Sequence, residues 1–323
     1  MKNSLLVLAL VFLTFNISCK NTTEPNSKEC TEIQITTDDS NQMIPAIYGD
    51  KIVWQDERNG NDDIYMFDLL TSTETQITTD GSQQRVPAIH GDKIVWQDSR
   101  NGNYDIYMYD LLTSTETQIT TNVSTQGQPA IYGDKIVWKD ERNDSGDIYM
   151  YNLSANTETQ ITTDVSRQGN PIIYEDKIVW HDNRNDNWDI YMYDLLTSSE
   201  IQITTDNSGQ YFPVIYGNRI IWQDYRNGND DIYMYDLLTS TETPITTNNS
   251  TQQYPVLNGD KIIWWDNSSG NDDIYMYDLL TNAETQITTT DSAQQFPAIY
   301  EDRIVWQDDR NGNWDIYMGS GDL

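Results

Sequence analysis

A 42-residue unit recurs seven times along this chain and constrains its fold more than any other feature. Each copy contains a proline at the same place, at Pro45, Pro87, Pro129, Pro171, Pro213, Pro255 and Pro297. Seven tryptophans keep the same spacing, at Trp54, Trp96, Trp138, Trp180, Trp222, Trp264 and Trp306. A period of roughly 40–45 residues is typical of a four-stranded propeller blade. The spacing therefore predicts seven blades.

The first full copy predicts four short strands, over residues 45–48, 51–56, 63–69 and 74–79. Gly49 and Asp50 separate the first two strands and predict a two-residue hairpin turn. The second strand has consecutive apolar residues from Ile52 to Trp54, so it is expected to be buried on both faces. Blades that pack face to face around an axis provide that environment.

The two ends of the chain predict how the ring closes. The last copy contains its third strand, Asp315 to Met318, but no fourth strand after it. The missing strand is matched near the other end by residues 32–37, which align in register with residues 74–79. Pairing this segment with the last blade removes an open sheet edge. We therefore expect an all-β fold over residues 32–323, a seven-bladed propeller of four-stranded antiparallel blades closed by an N-terminal strand.

The repeat resembles the Pro-Asp-type repeat of TolB-like β-propellers, and the resemblance covers residues 32–318. It rests on the proline, the second-strand tryptophan, the turn D-x-R-N-G-N, the strand D-I-Y and the closing I-T-T. The resemblance implies a propeller fold. For function it implies a wider range, because TolB binds other envelope proteins, related propellers cover serine peptidases, and some polysaccharide lyases use a similar propeller.

The N-terminal segment predicts export. Residues 1–18 combine an early lysine with a short apolar run and are interpreted as a signal peptide. Ser18-Cys19 resembles a lipoprotein processing site, so we expect acylation of Cys19; the alternative is a disulfide between Cys19 and Cys30. Residues 19–31 are polar and are interpreted as a flexible tether. The expected location is the cell surface or the periplasm, with the membrane contacted only through this anchor.

The formal net charge of −32 excludes nucleic-acid partners, because such a surface repels phosphate backbones. Aspartates end every second strand and begin every third, as Asp56 and Asp63 do in blade one. An arginine lies between them in six copies, and Ser268 replaces it in blade six. We interpret these carboxylates as partners of turn N–H groups and of the arginine, with a calcium site as the alternative. No metal or cofactor is expected.

Two further sets of polar residues are interpreted as structural. A glutamine precedes each proline by three residues, at Gln42, Gln84, Gln126, Gln168, Gln210, Gln252 and Gln294, and is expected to form hydrogen bonds between blades. A ring of amides lining a channel is the alternative. His90 and His181 occupy positions where other copies carry different residues, and both are interpreted as drift at structural positions.

Positions that vary between otherwise matched copies give the candidate site. The two residues before each proline, and the residue before each third strand, fall at the same end of an up-and-down blade. Aromatic residues at these places on an acidic rim suit sugar stacking or a protein contact. The candidate ligand-binding residues are Arg85, Tyr104, Trp188, Tyr211, Phe212, Tyr254, Phe296 and Trp314.

These observations predict a monomeric, non-catalytic binding module for a glycan or protein partner at the cell envelope. Two alternatives remain open at this point. One is a polysaccharide-active enzyme of the lyase type, which would need an asymmetric set of acid, base or metal groups. The other is a surface-layer or adhesive scaffold without a small ligand.

Overall fold

Each repeat folds into one antiparallel sheet whose strands follow the order of the sequence. The computed structural model describes residues 15–18, 29–143 and 146–320, with side chains from Glu32 onward. Cys19 and most of the expected signal peptide and tether lie outside the described residues. The prediction of seven four-stranded antiparallel blades is confirmed.

The strands are numbered in chain order after two N-terminal strands, β1 (Phe15–Ser18) and β2 (Glu29–Gln34). The first strands of blades one to seven are β3 (Gln42–Tyr48), β7 (Gln84–His90), β11 (Gln126–Tyr132), β15 (Gln168–Tyr174), β19 (Gln210–Tyr216), β23 (Gln252–Asn258) and β27 (Gln294–Tyr300). The second strands are β4 (Lys51–Asp56), β8 (Lys93–Asp98), β12 (Lys135–Asp140), β16 (Lys177–Asp182), β20 (Arg219–Asp224), β24 (Lys261–Asp266) and β28 (Arg303–Asp308).

The third strands are β5 (Asp63–Asp68), β9 (Asp105–Asp110), β13 (Asp147–Asn152), β17 (Asp189–Asp194), β21 (Asp231–Asp236), β25 (Asp273–Asp278) and β29 (Asp315–Ser320). The fourth strands of blades one to six are β6 (Thr73–Gln76), β10 (Thr115–Gln118), β14 (Thr157–Gln160), β18 (Ser199–Gln202), β22 (Thr241–Pro244) and β26 (Ala283–Gln286).

Strand β2 supplies the fourth strand of blade seven, so the expected closure of the ring is confirmed. Ile33 lies opposite Met318 in the ladder, and Gln34 lies opposite Tyr317. The backbone N–H of Ile35 continues the contact by donating to the carbonyl of Ile316 at 2.8 Å. Strand β2 begins at Glu29, earlier than the expected residue 32, and β1 pairs with its outer edge.

The core lies between blades, which explains why the second strand is apolar on both faces. Trp54 is fully buried and packs with Val305 and Met318 of the preceding blade. Val53, on the opposite face of the same strand, packs with Trp96 of the following blade. Each aromatic side chain removed from water in this way contributes a large apolar area to stability.

The propeller has two distinct ends. The end that carries the turns between first and second strands, and between third and fourth strands, is called the hairpin end. The opposite end carries the second-to-third-strand turns and the segments that cross to the next blade, and is called the crossover end. Among the described residues, no helix has the length and apolar character needed to cross a bilayer.

Candidate functional site

An irregularity in every first strand shapes the crossover end. In blade one the register with the second strand shifts between Met43 and Ala46, which forms a β-bulge. The residue before the proline, Ile44, has a φ of 52°, and its six counterparts have φ between 48° and 56°. Left-handed backbone is costly for residues other than glycine, and most of all for a β-branched residue such as Ile44. Only the surrounding structure can hold seven such residues in place.

The bulge brings the residues before successive prolines close together. The ring centroids of Phe212 and Tyr254 lie 4.6 Å apart, and those of Tyr254 and Phe296 also lie 4.6 Å apart. Blades five, six and seven therefore present a continuous aromatic surface, one ring from each blade. Offset and tilted contacts at this distance are favourable for aromatic rings.

This surface continues into blade four. His181 lies 4.7 Å from Trp188 and 6.1 Å from Tyr211, measured between ring centroids. Tyr211 is in turn 6.4 Å from Phe212, and Trp265 lies 6.3 Å from Tyr254. We name these seven neighbouring side chains the aromatic arc; its members are His181, Trp188, Tyr211, Phe212, Tyr254, Trp265 and Phe296.

Five of the eight predicted site residues belong to the arc, and the other three lie apart from it. Arg85 is held by an ion pair, with its Nε 2.5 Å from the Asp62 carboxylate. Tyr104 and Trp314 accept hydrogen bonds through their backbone carbonyls from Gln126 and Gln42 of the following blade. Among the described residues, neither ring contacts another aromatic ring.

The sequence analysis missed two members of the arc, Trp265 and His181. Both follow a repeating tryptophan in the second strand, where four of the seven blades carry glutamine: Gln55, Gln97, Gln223 and Gln307. The replacement of this glutamine by histidine or tryptophan is the sequence signal that could have identified both residues. The structure places His181, which the sequence indicated as drift at a structural position, against Trp188.

The position after the tryptophan also provides unpartnered polar atoms. Gln97 and Gln307 accept hydrogen bonds, each at 3.1 Å, from the bulge N–H groups of Gln128 and Ile44. Nδ1 of His181 and Nε1 of Trp265 have no hydrogen-bond partner within the described part of the chain, although each residue is only 9 % exposed. Buried polar groups are usually hydrogen-bonded, so these two nitrogens are exceptions, and the side-chain oxygens of Gln55 and Gln223 are exceptions at the same position.

Burial also sets the charge of His181. It lowers the pKa of this imidazole to about 4, and the nearby Lys139 ammonium adds to the shift. The ring is therefore neutral at pH 7. It can offer one donor and one acceptor nitrogen, but it carries no charge that a ligand would have to balance.

A second set of contacts joins neighbouring blades beside the arc. The residue two places before the proline reaches the residue that precedes the third strand of the previous blade. Gln253 donates to Asp230 and Gln295 donates to Asp272, each at 2.6 Å. Between blades four and five, the same two positions are occupied by Trp188 and Tyr211, which pack together. The chain therefore uses one pair of positions for polar contacts in some blades and for an aromatic contact in another.

Glycines open space on the other side of the arc. A Cβ atom on Gly127 would lie 2.7 Å from Oε1 of Gln97, and one on Gly169 would lie 3.1 Å from Nε2 of His181. A Cβ on Gly146 would collide with the side chain of Lys139. Polar side chains from the second strands occupy the space that these glycines leave. Blades two to four thus form a polar border to the arc.

The repeated aspartates beside these turns are occupied by protein donors. Asp56 accepts hydrogen bonds from the Trp54 indole at 2.8 Å and from the backbone and side chain of Arg58. The Arg58 guanidinium also lies 4.2 Å from the ring centroid of Tyr65. Asp63 accepts from the amide of Asn59 at 2.8 Å. Within residues 15–18, 29–143 and 146–320, no group of three or more His, Cys, Asp or Glu could hold a metal ion.

The repeated glutamines form hydrogen bonds in two ways, through the side-chain amide and through the backbone N–H. The side-chain amide of Gln84 donates to the carbonyl of Ser82 in its own crossover segment, at 3.0 Å. The contact between blades is made by its backbone N–H, which donates to the carbonyl of Asp62 at 2.7 Å. Gln84 is fully buried, so its amide does not line a channel. The expected hydrogen bonds between blades thus come mainly from the backbone; the side-chain oxygens of Gln168 and Gln252 also accept from Thr162 and Thr246 of the preceding blades.

Comparisons with known proteins identify the fold and not a family. No family model and no curated protein matches the sequence. Among solved structures, an oligogalacturonate lyase in complex with manganese is similar, with 15 % identity, a TM-score of 0.74, and 97 % of each chain covered. An oligogalacturonate lyase from Vibrio parahaemolyticus has 12 % identity and a TM-score of 0.72, covering 96 % of this chain and 97 % of its own.

TolB from Acinetobacter baumannii is also similar, with 18 % identity and a TM-score of 0.58; the match covers 78 % of this chain and 67 % of that one. Sequence identities this low carry information about fold alone. The neighbours include both enzymes and a protein of another class on the same scaffold. The fold of this chain is that of a TolB-like β-propeller.

Proposed function

We propose that this protein is an exported, non-catalytic binding module that takes a neutral glycan at the aromatic arc. The observation that carries the proposal is the run of aromatic contacts from Trp188 to Phe296 across blades four to seven. In blades one to three the two positions before the proline hold no aromatic residue, for example Met43 in blade one and Gly127 in blade three. An asymmetric aromatic surface on a symmetric frame is suited to recognition, because it gives a ligand one preferred orientation.

The chemistry around the arc supports a sugar ligand. Sugar rings present C–H faces that pack on aromatic side chains, and hydroxyl groups that need planar polar partners. The amide–carboxylate pairs Gln253–Asp230 and Gln295–Asp272 border the arc within the same blades. A glycan would satisfy both kinds of group at once.

The charge of the chain favours a neutral glycan over an acidic one. A net charge of −32 repels polyanions at a distance, and Asp230 and Asp272 lie beside the arc itself. Lys139 and Arg85 are nearby cations, but each already pairs with a carboxylate, Glu141 and Asp62 respectively. An acidic sugar would have to compete with these carboxylates for its counter-charge.

The N-terminal strand fits a lipid anchor at Cys19. Strand β2 begins at Glu29 on the hairpin end and runs toward the crossover end. An anchor ten residues before Glu29 would span at most roughly 35 Å. The hairpin end would then be nearer to the membrane, and the aromatic arc would be directed away from it. This orientation suits a surface protein that binds a glycan outside the cell.

A lyase-type enzyme is the second candidate, favoured by the near-complete overlap with two structures described as oligogalacturonate lyases. Such a role requires an acid, a base or a metal group close to the substrate. Oligogalacturonate is the probe for this candidate, since its cleavage yields an unsaturated product that absorbs in the ultraviolet. Turnover of oligogalacturonate by the purified propeller would contradict the non-catalytic proposal.

A glycan array that includes neutral and acidic oligosaccharides tests the proposal, followed by titration of the best binder. We expect binding of a neutral glycan, and a loss of affinity of about 30-fold in Tyr254→Ala, the change typical of a central aromatic contact. Tyr211→Ala should weaken binding in the same direction.

The matched control is Tyr104→Ala, which removes a half-buried tyrosine from the same end of the propeller but outside the arc. It should change affinity by less than about twofold, within the range expected of a residue outside a hot spot. Wild-type protein that binds no array member, or equal losses in the Tyr104 and Tyr254 variants, would rule out the arc as the glycan site.

A further inference from the structure

The hairpin end contains an axial cavity that the proposed glycan site does not use. Its volume is about 360 Å³, at the small end of the range of roughly 300–1,000 Å³ found for ligand pockets. The last residue of each first strand faces it, and we name these seven residues the tyrosine ring: Tyr48, His90, Tyr132, Tyr174, Tyr216, Asn258 and Tyr300.

The members of the ring contact their neighbours around the axis. The centroids of Tyr132 and Tyr174 lie 4.9 Å apart, and those of Tyr174 and Tyr216 lie 4.8 Å apart. Tyr48 contacts both Tyr300, at 4.8 Å, and His90, at 4.5 Å. The planes of neighbouring rings are inclined to each other by about 50°, and this angle is close to one seventh of a full turn. Six aromatic side chains thus surround one axial space.

Two members break the pattern in the same way. Nδ1 of His90 accepts a hydrogen bond from the backbone N–H of Gly133 at 3.2 Å, and Oδ1 of Asn258 accepts one from Glu301 at 3.2 Å. Each contact reaches the hairpin turn of the following blade. At Asn258 the shorter side chain leaves a gap in the ring, and the exposed residue Glu301 joins the wall of the cavity there.

Glu301 stands where five other blades have glycine. That turn position has positive φ in every blade, 55° at Glu301 and 52° at Glu175, the second exception. Glycine adopts this backbone without strain, whereas a glutamate does so only at a cost in stability. The chain therefore places a carboxylate at two points of this end despite an unfavourable backbone. Both are next to a tyrosine of the ring, Tyr300 and Tyr174 respectively.

The carboxylates of Glu175 and Glu301 form no ion pair with any residue that the structure describes. The basic residues of three second strands form ion pairs with other carboxylates: Lys135 pairs with Asp176, Arg219 with Asp260, and Arg303 with Asp50. The lysines of the other four blades stand opposite an aspartate of the third strand, as Lys177 stands opposite Asp194. The Glu301 carboxylate, which lies in the wall of the cavity, therefore has no ion-pair partner among the described residues.

The ring itself is neutral at pH 7. Burial raises the pKa of Tyr174 to about 12, and the neighbouring tyrosines and Glu175 add to the shift. Burial and the nearby Lys93 lower the pKa of His90, so this imidazole is uncharged as well. Phenol oxygens and the faces of tyrosine rings attract cations without carrying a charge of their own.

We propose that the axial cavity at the hairpin end binds a compact organic ammonium ion, held by the tyrosine ring and by the carboxylate of Glu301 in the cavity wall. Aromatic side chains around a small space, with a carboxylate in the wall, match the requirements of such an ion better than those of a sugar or an anion. The site is independent of the aromatic arc, which lies at the opposite end of the propeller.

Calorimetric titration of the full chain with choline chloride tests this proposal, and 3,3-dimethylbutan-1-ol is the neutral molecule of the same shape. We expect choline to bind with a Kd on the order of 1 mM and the alcohol to bind at least about tenfold more weakly. Equal binding of the two, or no binding of choline, would overturn the proposal. Phosphocholine in a parallel titration separates the sources: binding identifies a lipid headgroup, and rejection identifies the free ammonium ion.

Two variants locate the bound ion. Glu301→Gln removes one charge from an exposed turn residue and should weaken choline binding about fivefold, whereas Asp39→Asn, an equal change of charge at the crossover end, should leave it unchanged within twofold. Tyr216→Leu should weaken choline binding at least about tenfold, and Tyr216→Phe should restore most of it. A Glu301→Gln variant with the affinity of the wild type would place the ion elsewhere and contradict the proposal. Melting temperatures of all four variants show whether each is folded.

Discussion

The two ends of the propeller use the same repeat in different ways. At the hairpin end the copies are the more uniform, and five of the seven ring positions are tyrosine. At the crossover end the copies disagree: four of the residues after the tryptophan are glutamine, while blades three, four and six have Lys139, His181 and Trp265. Both ends rest on the same sheets and the same cores between blades.

This difference distinguishes two kinds of position in the repeat. A position that contributes equally to every blade is kept, because each change costs stability by itself. A position that contacts a ligand bound to one side of the axis is used in only some blades, so its copies are free to differ, whereas a ligand on the axis is contacted by all seven copies. Positions at which the side chains differ, although the blades have the same strands, therefore show where the chain departs from sevenfold symmetry. The aromatic arc is such a place.

The largest effect is expected at the crossover end, at an ion pair that six of the seven blades share. Arg226 pairs with the fully buried Asp224 at 2.6 Å in blade five, and Ser268 takes the place of this arginine in blade six. Arg226→Ser should lower the free energy of unfolding by about 3–5 kcal/mol, because it leaves a buried carboxylate uncompensated. Urea denaturation measures the change.

The reciprocal variant Ser268→Arg is the matched control for that measurement. Asp266 in blade six is also buried, and burial together with Asp266 raises the pKa of Glu284 there. An arginine should stabilise both carboxylates and raise the free energy of unfolding by about 1 kcal/mol. If Arg226→Ser left stability unchanged, the aspartate and arginine would not be the structural unit that the comparison assumes.

An effect of intermediate size is expected at the varied position His181. Its pKa in the folded chain, about 4, lies below the ordinary value of 6.5. The unfolded chain therefore takes up a proton first, and stability is lost as the pH falls from about 6.5 to about 4. His181→Gln, which restores the consensus residue, should remove up to about 3 kcal/mol of this loss.

The measurement is the difference in the free energy of unfolding between wild type and His181→Gln, taken at pH 7 and at pH 4.5. Carboxylates titrate in both proteins, so their contribution cancels in the difference. A difference that does not change with pH would show that His181 is accessible to protons in the folded chain, which contradicts its burial against Trp188.

The smallest effect is expected at the exceptions within the uniform end. Glu175 has a φ of 52° in a turn where most blades have glycine. Glu175→Gly should raise the free energy of unfolding by about 0.5–1 kcal/mol through relief of backbone strain. The reverse change, Gly133→Glu in blade three, should lower it by a similar amount. Thermal unfolding compares both variants, and a destabilised Glu175→Gly would mean that the glutamate is retained for stability.

The sequence was sufficient to predict the ring but not the interior of the site. The period of 42 residues and the match between residues 32–37 and 74–79 predicted blades and closure, because both depend on a pattern that is visible along the chain. The second strand of blade one was predicted with its observed bounds, Lys51–Asp56. Turn residues and apolar runs mark such strands locally.

The bulges could not be predicted in the same way. Ile44 and Val86 adopt left-handed backbone, although β-branched residues before proline favour extended conformations. Tertiary contacts override the local preference; one is the hydrogen bond from Ile44 to Gln307 of the previous blade. The inclusion of His181 and Trp265 in the arc depends on these bulges, so a strand-by-strand prediction had no means of finding them.

The strand that closes the ring has a consequence for how the chain folds. Thr36 donates to Asp315 from a position 279 residues away, so the first blade-forming segment to leave the ribosome pairs with the last. Six blades can assemble while the edge of β29 is still open. The entropy of closing so long a loop grows only slowly with its length, but the open intermediate presents an unpaired strand to other chains. Ring closure is therefore the step at which a second copy could insert its own β2 and give a domain-swapped dimer.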